Sequence, residues 1–247
     1  MNDSLYIIIP AYNEADNIAR IIDEWYPVIE SHNGDGKSRL VIIDDGSKDD
    51  TLEIAKKEVA KREYLEVITK DNGGHGSSIY FGYQYAIQEK ADYVFQTDSD
   101  GQTLASEFEE FWKARVYRDV IIGNRISRED GLSRRIISGV VRTLVRMIFD
   151  VSVDDVNTPY RLMSTDVLEE AIKYVPKEFN LTNVALTAIC ARMAEDALNG
   201  FRKIDMEFKP ITFRPRQAGK NSINLIKIVR IGLRAVRDLR DINRSLL

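Results

Sequence analysis

The residues Tyr93-Val-Phe-Gln-Thr-Asp-Ser-Asp-Gly-Gln102 predict a short strand that ends in two carboxylates. Aromatic and β-branched residues open the stretch and favour a strand, whereas Asp98-x-Asp100 followed by glycine is typical of a turn. Two carboxylates one residue apart at a strand end can both bind one hard divalent cation, and Gln102 adds a neutral oxygen. Because such a pair is by itself most often only a turn, its meaning depends on the rest of the chain.

Strands and helices alternate around this stretch in the first half of the chain. Such alternation produces parallel strands with helices on both faces, so we expect an α/β fold with a mostly parallel sheet. The predicted strands are Leu5–Ile9, Arg39–Ile43, Leu65–Thr69, Tyr93–Thr97 and Val120–Gly123, and the predicted helices are Glu14–Ile29, Asp50–Arg62, Gly76–Lys90 and Ser106–Tyr117, with Asn13 and Ser106 as N-caps.

The second half departs from this alternation after Arg125. No linker rich in proline, glycine or serine divides the halves, so we expect one domain over residues 1–220, followed by a basic amphipathic helix in residues 221–247. The predicted elements of the second half are the helices Leu132–Phe149, Thr165–Tyr174, Asn180–Glu195 and Asn221–Asn243, the strand Tyr160–Met163, and one or two strands in Arg202–Phe213.

The composition is that of an ordinary globular protein, but the charge is unevenly placed. The 247 residues carry a net charge of −4, with 35 Lys and Arg against 39 Asp and Glu. Residues 220–247 contain seven cations and two anions, which leaves an acidic body. A basic tail indicates an anionic surface as partner, although a solvated helix face explains it equally simply. Nucleic-acid binding is not expected, because the basic segments lack interleaved aromatic residues.

Cysteine content and hydropathy indicate the compartment. The single cysteine, Cys190, cannot form an intramolecular disulfide, which favours a reducing cytosol. No uncharged apolar run approaches the roughly 20 residues of a membrane-spanning helix, and the N-terminus lacks the apolar region of a signal peptide. We therefore expect a cytoplasmic protein without a membrane span.

Polar motifs follow all five strands of the first half. They are Pro10-Ala-Tyr-Asn-Glu14, Asp44-Asp-Gly-Ser47, Asn72-Gly-Gly-His-Gly-Ser-Ser78, Asp98-Ser-Asp-Gly-Gln102 and Gly123-Asn-Arg125. Because parallel strands end at one edge of a sheet, these motifs are expected to form a single polar crevice. In that setting Asp98, Asp100 and Gln102 predict a site for Mg²⁺ or Mn²⁺.

Two of these motifs have the chemistry to hold a nucleotide. Asp44 and Asp45 can accept hydrogen bonds from a ribose or a base, or can simply turn the chain and cap the next helix. The loop at residues 72–78 offers glycines and a helix N-terminus for phosphate, and His75 in it either contacts a phosphate or has no role. The Gly-Lys-Ser/Thr of P-loop NTPases and the Gly-x-Gly-x-x-Gly of nicotinamide-binding folds are missing, which argues against both classes.

Taken together and in order, these motifs resemble the family 2 glycosyltransferases of the GT-A fold over about residues 5–165. The Asp-x-Asp-Gly-Gln form, the Tyr160-Arg161 pair that follows Asp155, and the late Arg216-Gln-Ala-Gly-Lys-Asn-Ser222 are most similar to the polyprenol-phosphate (dolichol-phosphate mannose synthase-like) sugar transferases. The resemblance implies a Rossmann-like, mixed but mostly parallel sheet flanked by helices. Residues 1–125 would be its nucleotide-binding half and residues 126–220 its acceptor-binding half.

The same resemblance implies roles for individual residues. It places Asp100, Arg125 and Asp155 in catalysis, with Asp155 facing the acceptor. It places the divalent ion on Asp98, Asp100 and Gln102, the nucleotide sugar on Pro10, Ala11, Tyr12, Glu14, Asp44, Asp45, Asn72, Asp98, Arg216 and Ser222, and the acceptor phosphate on Arg125 with Arg134 or Arg135. Three positions depart from the family pattern: His75 replaces a frequent lysine, Thr103-Leu104 replaces His-Pro, and Thr158-Pro159-Tyr160 replaces Ser-Gly-Phe.

The expected function is a metal-dependent, inverting transfer of sugar from a UDP- or GDP-sugar to a polyprenyl (dolichyl or undecaprenyl) phosphate in envelope glycan synthesis. One alternative is the same fold acting on a saccharide or protein hydroxyl, for which Asp155 would be the general base. Another is a non-catalytic subunit that binds sugar nucleotides.

Two basic amphipathic helices favour the lipid acceptor. Arg135, Arg142 and Arg146 share a face of Leu132–Phe149, and the arginines of the tail also recur at helical spacing. Such helices are typical of a peripheral enzyme on the anionic, cytoplasmic face of a membrane. Alternatively, their apolar faces pack on the sheet or on a second copy of the chain in a homo-oligomer.

Overall fold

The computed structural model describes residues 3–33, 36–128, 132–215 and 225–246, and only the backbone of residues 127–128, 132–136 and 225–234. Strands and helices alternate through the first half, as the sequence predicts. The elements are β1 (Leu5–Ala11), α1 (Ile18–Ser31), β2 (Arg39–Asp44), α2 (Thr51–Val59), β3 (Leu65–Thr69), α3 (His75–Gln88), β4 (Tyr93–Gln96), α4 (Phe108–Ala114, after a 3₁₀ turn at Ala105–Glu107), β5 (Val120–Arg128), α5 (Leu132–Phe149), β6 (Arg161–Ser164), α6 (Thr165–Ile172), α7 (Thr182–Glu195), β7 (Met206–Phe213) and α8 (Leu225–Ser245).

Seven strands form one sheet in the order β3-β2-β1-β4-β6-β5-β7. Neighbouring strands are parallel except around β6, which runs antiparallel to both β4 and β5. Strand β5 therefore points the same way as β1 to β4, and the carboxyl ends of these five strands lie at one edge. The predicted mixed, mostly parallel sheet flanked by helices is confirmed.

Alternation along the central strands builds two cores, one on each face of the sheet. In β1, Leu5, Ile7 and Ile9 pack with Trp25 of α1 on one face, with α4 beside them. Tyr6 and Ile8 point to the other face, where α3, α6 and α7 cover the sheet. Every residue of β1 is buried, so the strand reads as a continuous apolar run rather than an alternating one.

Two predicted helix starts are wrong. Asn13 is not an N-cap: it has a φ of +53°, and α1 begins only at Ile18 because the intervening turn packs against the loop after β2. The Glu14 amide donates to Thr51 Oγ1 (2.8 Å) within that contact. Ser106 is likewise not a cap, since it lies inside the 3₁₀ turn that precedes α4. At the first of these two places a tertiary contact overrides the local capping signal.

Strand β5 is longer than its β-branched run predicts. It continues to Arg128 because β7 lies alongside it as a parallel partner, and the pairing shifts register between Arg125 and Ser127. A bulge of this kind bends a strand and redirects its side chains, and bulges are common beside active sites. Asn124 and Arg125 consequently lie on a strand and not in a loop.

The C-terminal helix α8 packs on the protein along its described apolar side. Leu239, Ile242 and Leu246 are buried in the same core as Val145 and Phe149 of α5. This face is therefore covered by protein, as one of the two sequence-based alternatives proposed. No helix in the described ranges is long and apolar enough to span a bilayer.

Candidate active site

The polar edge of the sheet brings the predicted motifs together. The loops after β1 and β2 are joined by the Asp45 amide, which donates to the Ala11 carbonyl (2.9 Å), and by the Lys48 amide, which donates to Asn13 Oδ1 (2.8 Å). The crevice expected from the sequence is thus built by direct contacts between neighbouring strand ends.

Asp44 and Asp45 are both buried, and protein groups already bind their carboxylates. Asp44 accepts hydrogen bonds from Thr69 Oγ1 (2.8 Å) and the Ser47 amide (3.3 Å). Asp45 accepts from Lys70 Nζ, from the Gly73 amide at 2.9 Å and from the Gly74 amide at 2.8 Å. Contact of either residue with a base or ribose stays a prediction. In the structure, both carboxylates hold the loops that surround the site.

Asp45 organises the glycine loop that follows β3. Burial alone would raise the pKa of Asp45, but hydrogen bonds from Lys70, the Gly73 amide, Ser78 and the Gly74 amide outweigh it and hold the pKa below its ordinary value. The Asn72 side-chain amide also donates to the Asp45 carbonyl (2.9 Å). Asn72, predicted to bind the nucleotide sugar, therefore helps to fasten this loop to β2.

The residues predicted to line the base pocket follow β1. Pro10 and Ala11 end the buried strand, whereas Tyr12 is 41% exposed at the edge of the site and can cover a base. Glu14 is buried and its Oε2 accepts a hydrogen bond from Asn17 Nδ2 (2.6 Å). Glu14 thus holds the start of α1, a role that its position in the motif does not reveal.

Asp98 and Asp100 stand in the turn after β4, where a divalent ion is predicted. Asp98 Oδ1 is buried and has no hydrogen-bond partner among the described residues. A buried carboxylate oxygen without a donor fits a site that a cation completes. Within the same described ranges no three acidic, histidine or cysteine side chains are already grouped for a metal. The remaining ligands would come from phosphate oxygens and water, as is usual for Mg²⁺ at nucleotide sites.

Gln102 connects this turn to the end of β7. Its Nε2 donates to the Arg214 carbonyl (2.9 Å), and the Arg214 amide donates to the Gln102 carbonyl (2.8 Å). This hydrogen bond turns the amide nitrogen of Gln102 towards the end of β7. Oε1 is therefore the atom that would bind the predicted metal ion. Arg214 also contacts Glu24 Oε1 (3.0 Å), which fixes the chain just before the predicted donor clamp.

Arg125 and Asp155 form a buried ion pair at the end of β5. Arg125 Nε and Nη2 donate to the two Asp155 carboxylate oxygens at 2.7 and 2.8 Å, a bidentate arrangement. The Asn157 amide also donates to Asp155 Oδ1 (3.2 Å), and the guanidinium lies 5.0 Å from the centre of the Phe213 ring. The structure brings these two predicted catalytic residues together.

A pocket of about 390 Å³ opens beside this pair. Its wall includes Asn124 and Arg125 from β5, Ser138 and Arg142 from α5, and Asp154 and Asp155 from the loop before β6. Arg142 Nη1 lies 3.4 Å from the Asp154 carbonyl. The sequence placed Arg142 on the basic face of the helix, but we predicted no ligand for it. Its spacing of seven residues from Arg135, which was predicted to bind the acceptor phosphate, was the signal that could have identified it.

Four predicted residues cannot be located by their side chains. Arg134 and Arg135 belong to α5, but their side chains lie outside the described set. Arg216 and Ser222 lie between the described ranges that end at 215 and resume at 225. Their roles stay predictions.

Arg161 is a buried cation behind the acceptor loop. Its side chain is fully buried, and it donates to the Thr158 carbonyl (2.7 Å), the Asn183 carbonyl (3.2 Å) and Thr187 Oγ1 (3.3 Å). Burial lowers the pKa of Arg161 from its ordinary value. The Tyr-Arg of the motif therefore ties β6 to α7 and supports the loop that carries Asp155.

A sequence model described as glycosyl transferase family 2 matches residues 6–172. Two curated relatives are a polyprenol monophosphomannose synthase of Mycolicibacterium smegmatis and the dolichyl-phosphate beta-glucosyltransferase ALG5C of Trichomonas vaginalis. The first is 23% identical over 94% of this chain and 88% of the relative. The second is 30% identical over 43% of this chain and spans only 32% of that protein's length.

A solved structure has the same overall fold. Glucosyl-3-phosphoglycerate synthase of Mycobacterium tuberculosis, crystallised with Mn²⁺, UDP-glucose and phosphoglyceric acid, superposes with a TM-score of 0.68. The two chains are 16% identical, and the alignment covers 98% of this chain and 80% of that one. This similarity establishes the fold alone.

Proposed function

The chain belongs to glycosyl transferase family 2, and we propose that it transfers a sugar from a nucleoside-diphosphate sugar to a polyprenyl phosphate with inversion at the anomeric carbon. The names of the two curated relatives, which refer to polyprenol and dolichyl-phosphate substrates, support this acceptor class. Within the fold, the donor would lie along the carboxyl ends of β1 to β4 and the acceptor phosphate in the pocket beside β5.

The observation that carries the proposal is the Arg125–Asp155 pair at the wall of that pocket. A hydroxyl acceptor needs a general base within reach of its proton, yet both oxygens of Asp155 already accept hydrogen bonds from Arg125. A phosphate acceptor is an anion and needs cations instead. Arg125 and Arg142 approach the pocket from β5 and from α5 and meet that need.

The chemistry requires no proton removal from such an acceptor. A phosphate oxygen forms a bond to the anomeric carbon while the bond from that carbon to the donor diphosphate breaks, and the nucleoside diphosphate leaves. A divalent ion held by Asp98 and Asp100, with Gln102 Oε1 as a neutral ligand, would supply charge stabilisation for the departing diphosphate. Arg125 and Arg142 would bind and orient the acceptor phosphate, while Asp155 keeps the Arg125 guanidinium in place.

The outer face of α5 supports work at a membrane surface. Ile137, Val140 and Met147 are exposed, the last two by 54% and 76%, and Ile126 beside them on the bulge of β5 is 73% exposed. Arg146 is exposed on the same helix. An apolar stripe flanked by cations is typical of a helix that lies in a lipid interface. It would hold the pocket against an anionic leaflet, on the cytoplasmic face where nucleotide sugars are made available.

The membrane contact has its own test. Protein carrying Val140→Ser and Met147→Ser is expected to sediment with phosphatidylglycerol vesicles far less than the wild type. A variant with Thr143→Ser, at an exposed polar position of the same helix, serves as the control. Equal sedimentation of all three proteins would contradict a role for α5 in lipid binding.

The function is tested by supplying both acceptor classes. Purified protein with Mn²⁺ and radiolabelled UDP- or GDP-sugars is expected to label undecaprenyl phosphate in vesicles, giving an acid-labile lipid product. Label in oligosaccharide or peptide acceptors instead would support the hydroxyl alternative. Binding of the nucleotide sugar without turnover of any donor would support the non-catalytic subunit.

A further inference from the structure

We infer that His75 is a ligand of the divalent ion, contributing an imidazole nitrogen beside the carboxylate of Asp98. This inference deepens the proposed function, because it rests on the metal site at the turn after β4. His75 stands at a position of the family motif where lysine is frequent. The inference therefore gives the change from lysine to histidine a chemical meaning.

The geometry brings the two groups together without bonding them. His75 Nε2 lies 3.7 Å from Asp98 Oδ1, beyond hydrogen-bond distance. That Oδ1 atom is buried and has no hydrogen-bond partner in the described part of the chain. Ligand atoms about 2.1 Å from an octahedral ion lie about 3 Å apart at a right angle. The observed 3.7 Å is wider than this, so a small movement of either side chain would let both bind one ion.

The loop that carries His75 is held from both sides. Asp45 binds the Gly73 and Gly74 amides just before it. On the other side, Thr182 Oγ1 donates to the Gly76 carbonyl (3.1 Å), and a Cβ on Gly76 would come within 2.1 Å of the Phe179 carbonyl oxygen. A ligand on so fixed a loop is positioned before the ion arrives, as metal sites require.

An imidazole would change which ion the site prefers. Oxygen ligands suit Mg²⁺, whereas imidazole follows the Irving–Williams order and favours the later transition metals. The side chain of His75 is half exposed, so an ion bound with the nucleotide diphosphate can reach it. Lysine at this position would repel a cation. Histidine at this position, unlike lysine, can therefore serve as a metal ligand.

The experiment uses the two histidines of this chain, His75 and His32. His32 bonds to Val28 and Glu109 on the face of the sheet that α1 and α4 cover. Untagged protein is loaded with Mn²⁺ and GDP or UDP, and pulsed electron paramagnetic resonance is used to look for ¹⁴N coupling from a bound imidazole. The expected coupling disappears in His75→Asn and persists in His32→Asn. Protein labelled only at histidine with ¹⁵N gives a second, folding-independent check, since the ¹⁴N pattern is replaced by that of ¹⁵N.

Metal preference is the second measurement. His75→Asn is expected to weaken Co²⁺ binding in the presence of the nucleotide by about tenfold or more, and Mg²⁺ binding by less. Bound Mn²⁺ without nitrogen coupling would overturn the inference while leaving the metal site and the proposed function intact. Failure of the wild-type protein to bind any divalent ion with nucleotide would overturn both.

Discussion

The proposed donor edge, at the ends of β1 to β4, and the proposed acceptor pocket, beside β5 and α5, are held together in different ways. At the donor edge, Asp45 is bound by Lys70 and by the backbone amides of its neighbouring loop. At the acceptor pocket, Asp155 accepts two hydrogen bonds from the Arg125 guanidinium and one from the Asn157 amide. The first region is shaped by neighbouring strand ends, and the second centres on an ion pair between β5 and the loop before β6.

This difference indicates which chemical groups would bind each proposed substrate. The donor edge offers an oxygen-rich surface on which Asp98 Oδ1 accepts no hydrogen bond from any described residue, which suits a cation and its diphosphate. The acceptor pocket presents the guanidinium groups of Arg125 and Arg142, which suit an anion, beside Asp154 and Asp155. If the proposed function is correct, one sheet edge would bind the donor diphosphate through a cation and the acceptor phosphate through arginines.

The largest expected effect is at the donor edge. Asp100→Ala should reduce sugar transfer by about 1,000-fold or more, because charge stabilisation of a leaving diphosphate is worth several kcal/mol. Metal-dependent binding of the nucleoside diphosphate, measured by calorimetry, should be lost with it. Asp71→Asn, at an exposed carboxylate near the same crevice, is the control. Retained activity of Asp100→Ala would refute the metal assignment.

The next effect is on the acceptor side and appears as stability. Asp155→Ala leaves the Arg125 guanidinium buried without its partner, so we expect the free energy of unfolding to fall by about 3 kcal/mol. The double variant Arg125→Met with Asp155→Leu should recover much of that loss, because neither charge then remains. Urea unfolding of Arg125→Met, of Asp155→Leu and of the double variant measures the coupling. Additive losses would show that the pair is not coupled.

A smaller effect should separate two arginines of α5. Arg142 lines the acceptor pocket, and Arg146, one turn further along, does not. Arg142→Gln should raise KM for the polyprenyl phosphate by about tenfold, because one charged hydrogen bond is worth roughly 1.5 kcal/mol or more, and leave binding of the nucleotide sugar unchanged. Arg146→Gln is the matched control, with the same change of charge on the same helix. An equal rise in KM for Arg142→Gln and Arg146→Gln would show that Arg142 acts through general attraction to the membrane surface and not by binding the acceptor in the pocket.

The smallest effect concerns the pH dependence of the donor edge. The pKa of Asp45 is below its ordinary value of 3.8 in the folded chain. Its contribution to stability is therefore complete above about pH 3.8 and is lost as the pH falls through the lowered value. Asp45→Asn should lower the free energy of unfolding at pH 7 and make it fall less steeply as the pH decreases. The free energies of the variant and the wild type should therefore become similar at low pH. Acid unfolding followed by circular dichroism measures it, and parallel curves would contradict the assigned role of Asp45.

Sequence patterns predict the donor half well because its signals are local. Each motif follows its own strand directly, so that predicting the strands and their parallel direction already brings residues such as Asp44 and Asp98 to one edge. The same locality explains what was missed there. Glu14 and Gln102 look like ligands in the motif, but Glu14 also binds Asn17 at the start of α1, and Gln102 fastens its turn to the end of β7. The second contact has no signature in a single motif.

The acceptor half was less predictable because its pocket is assembled from distant segments. Strand β6 is inserted antiparallel between β4 and β5, and β7 extends β5 past its own apolar run. Only this arrangement brings Arg142 of α5 to the wall that Arg125 forms. Helical spacing alone gives the face on which an arginine lies, not what that face meets.

The sequence by itself determined the alternating fold, the family and the set of chemical groups at the strand ends, because hydrophobic period and strand-end motifs are properties of short segments. The tertiary structure alone decided which of those groups are already bound. Asp45 is bound by its loop and Asp155 by Arg125, whereas Asp98 keeps a buried oxygen beside His75 that accepts no hydrogen bond within the described part of the chain. The physical reason is that the three aspartates are chemically identical and differ only in their hydrogen-bond partners. Those partners include residues far away along the chain, which a local motif does not identify.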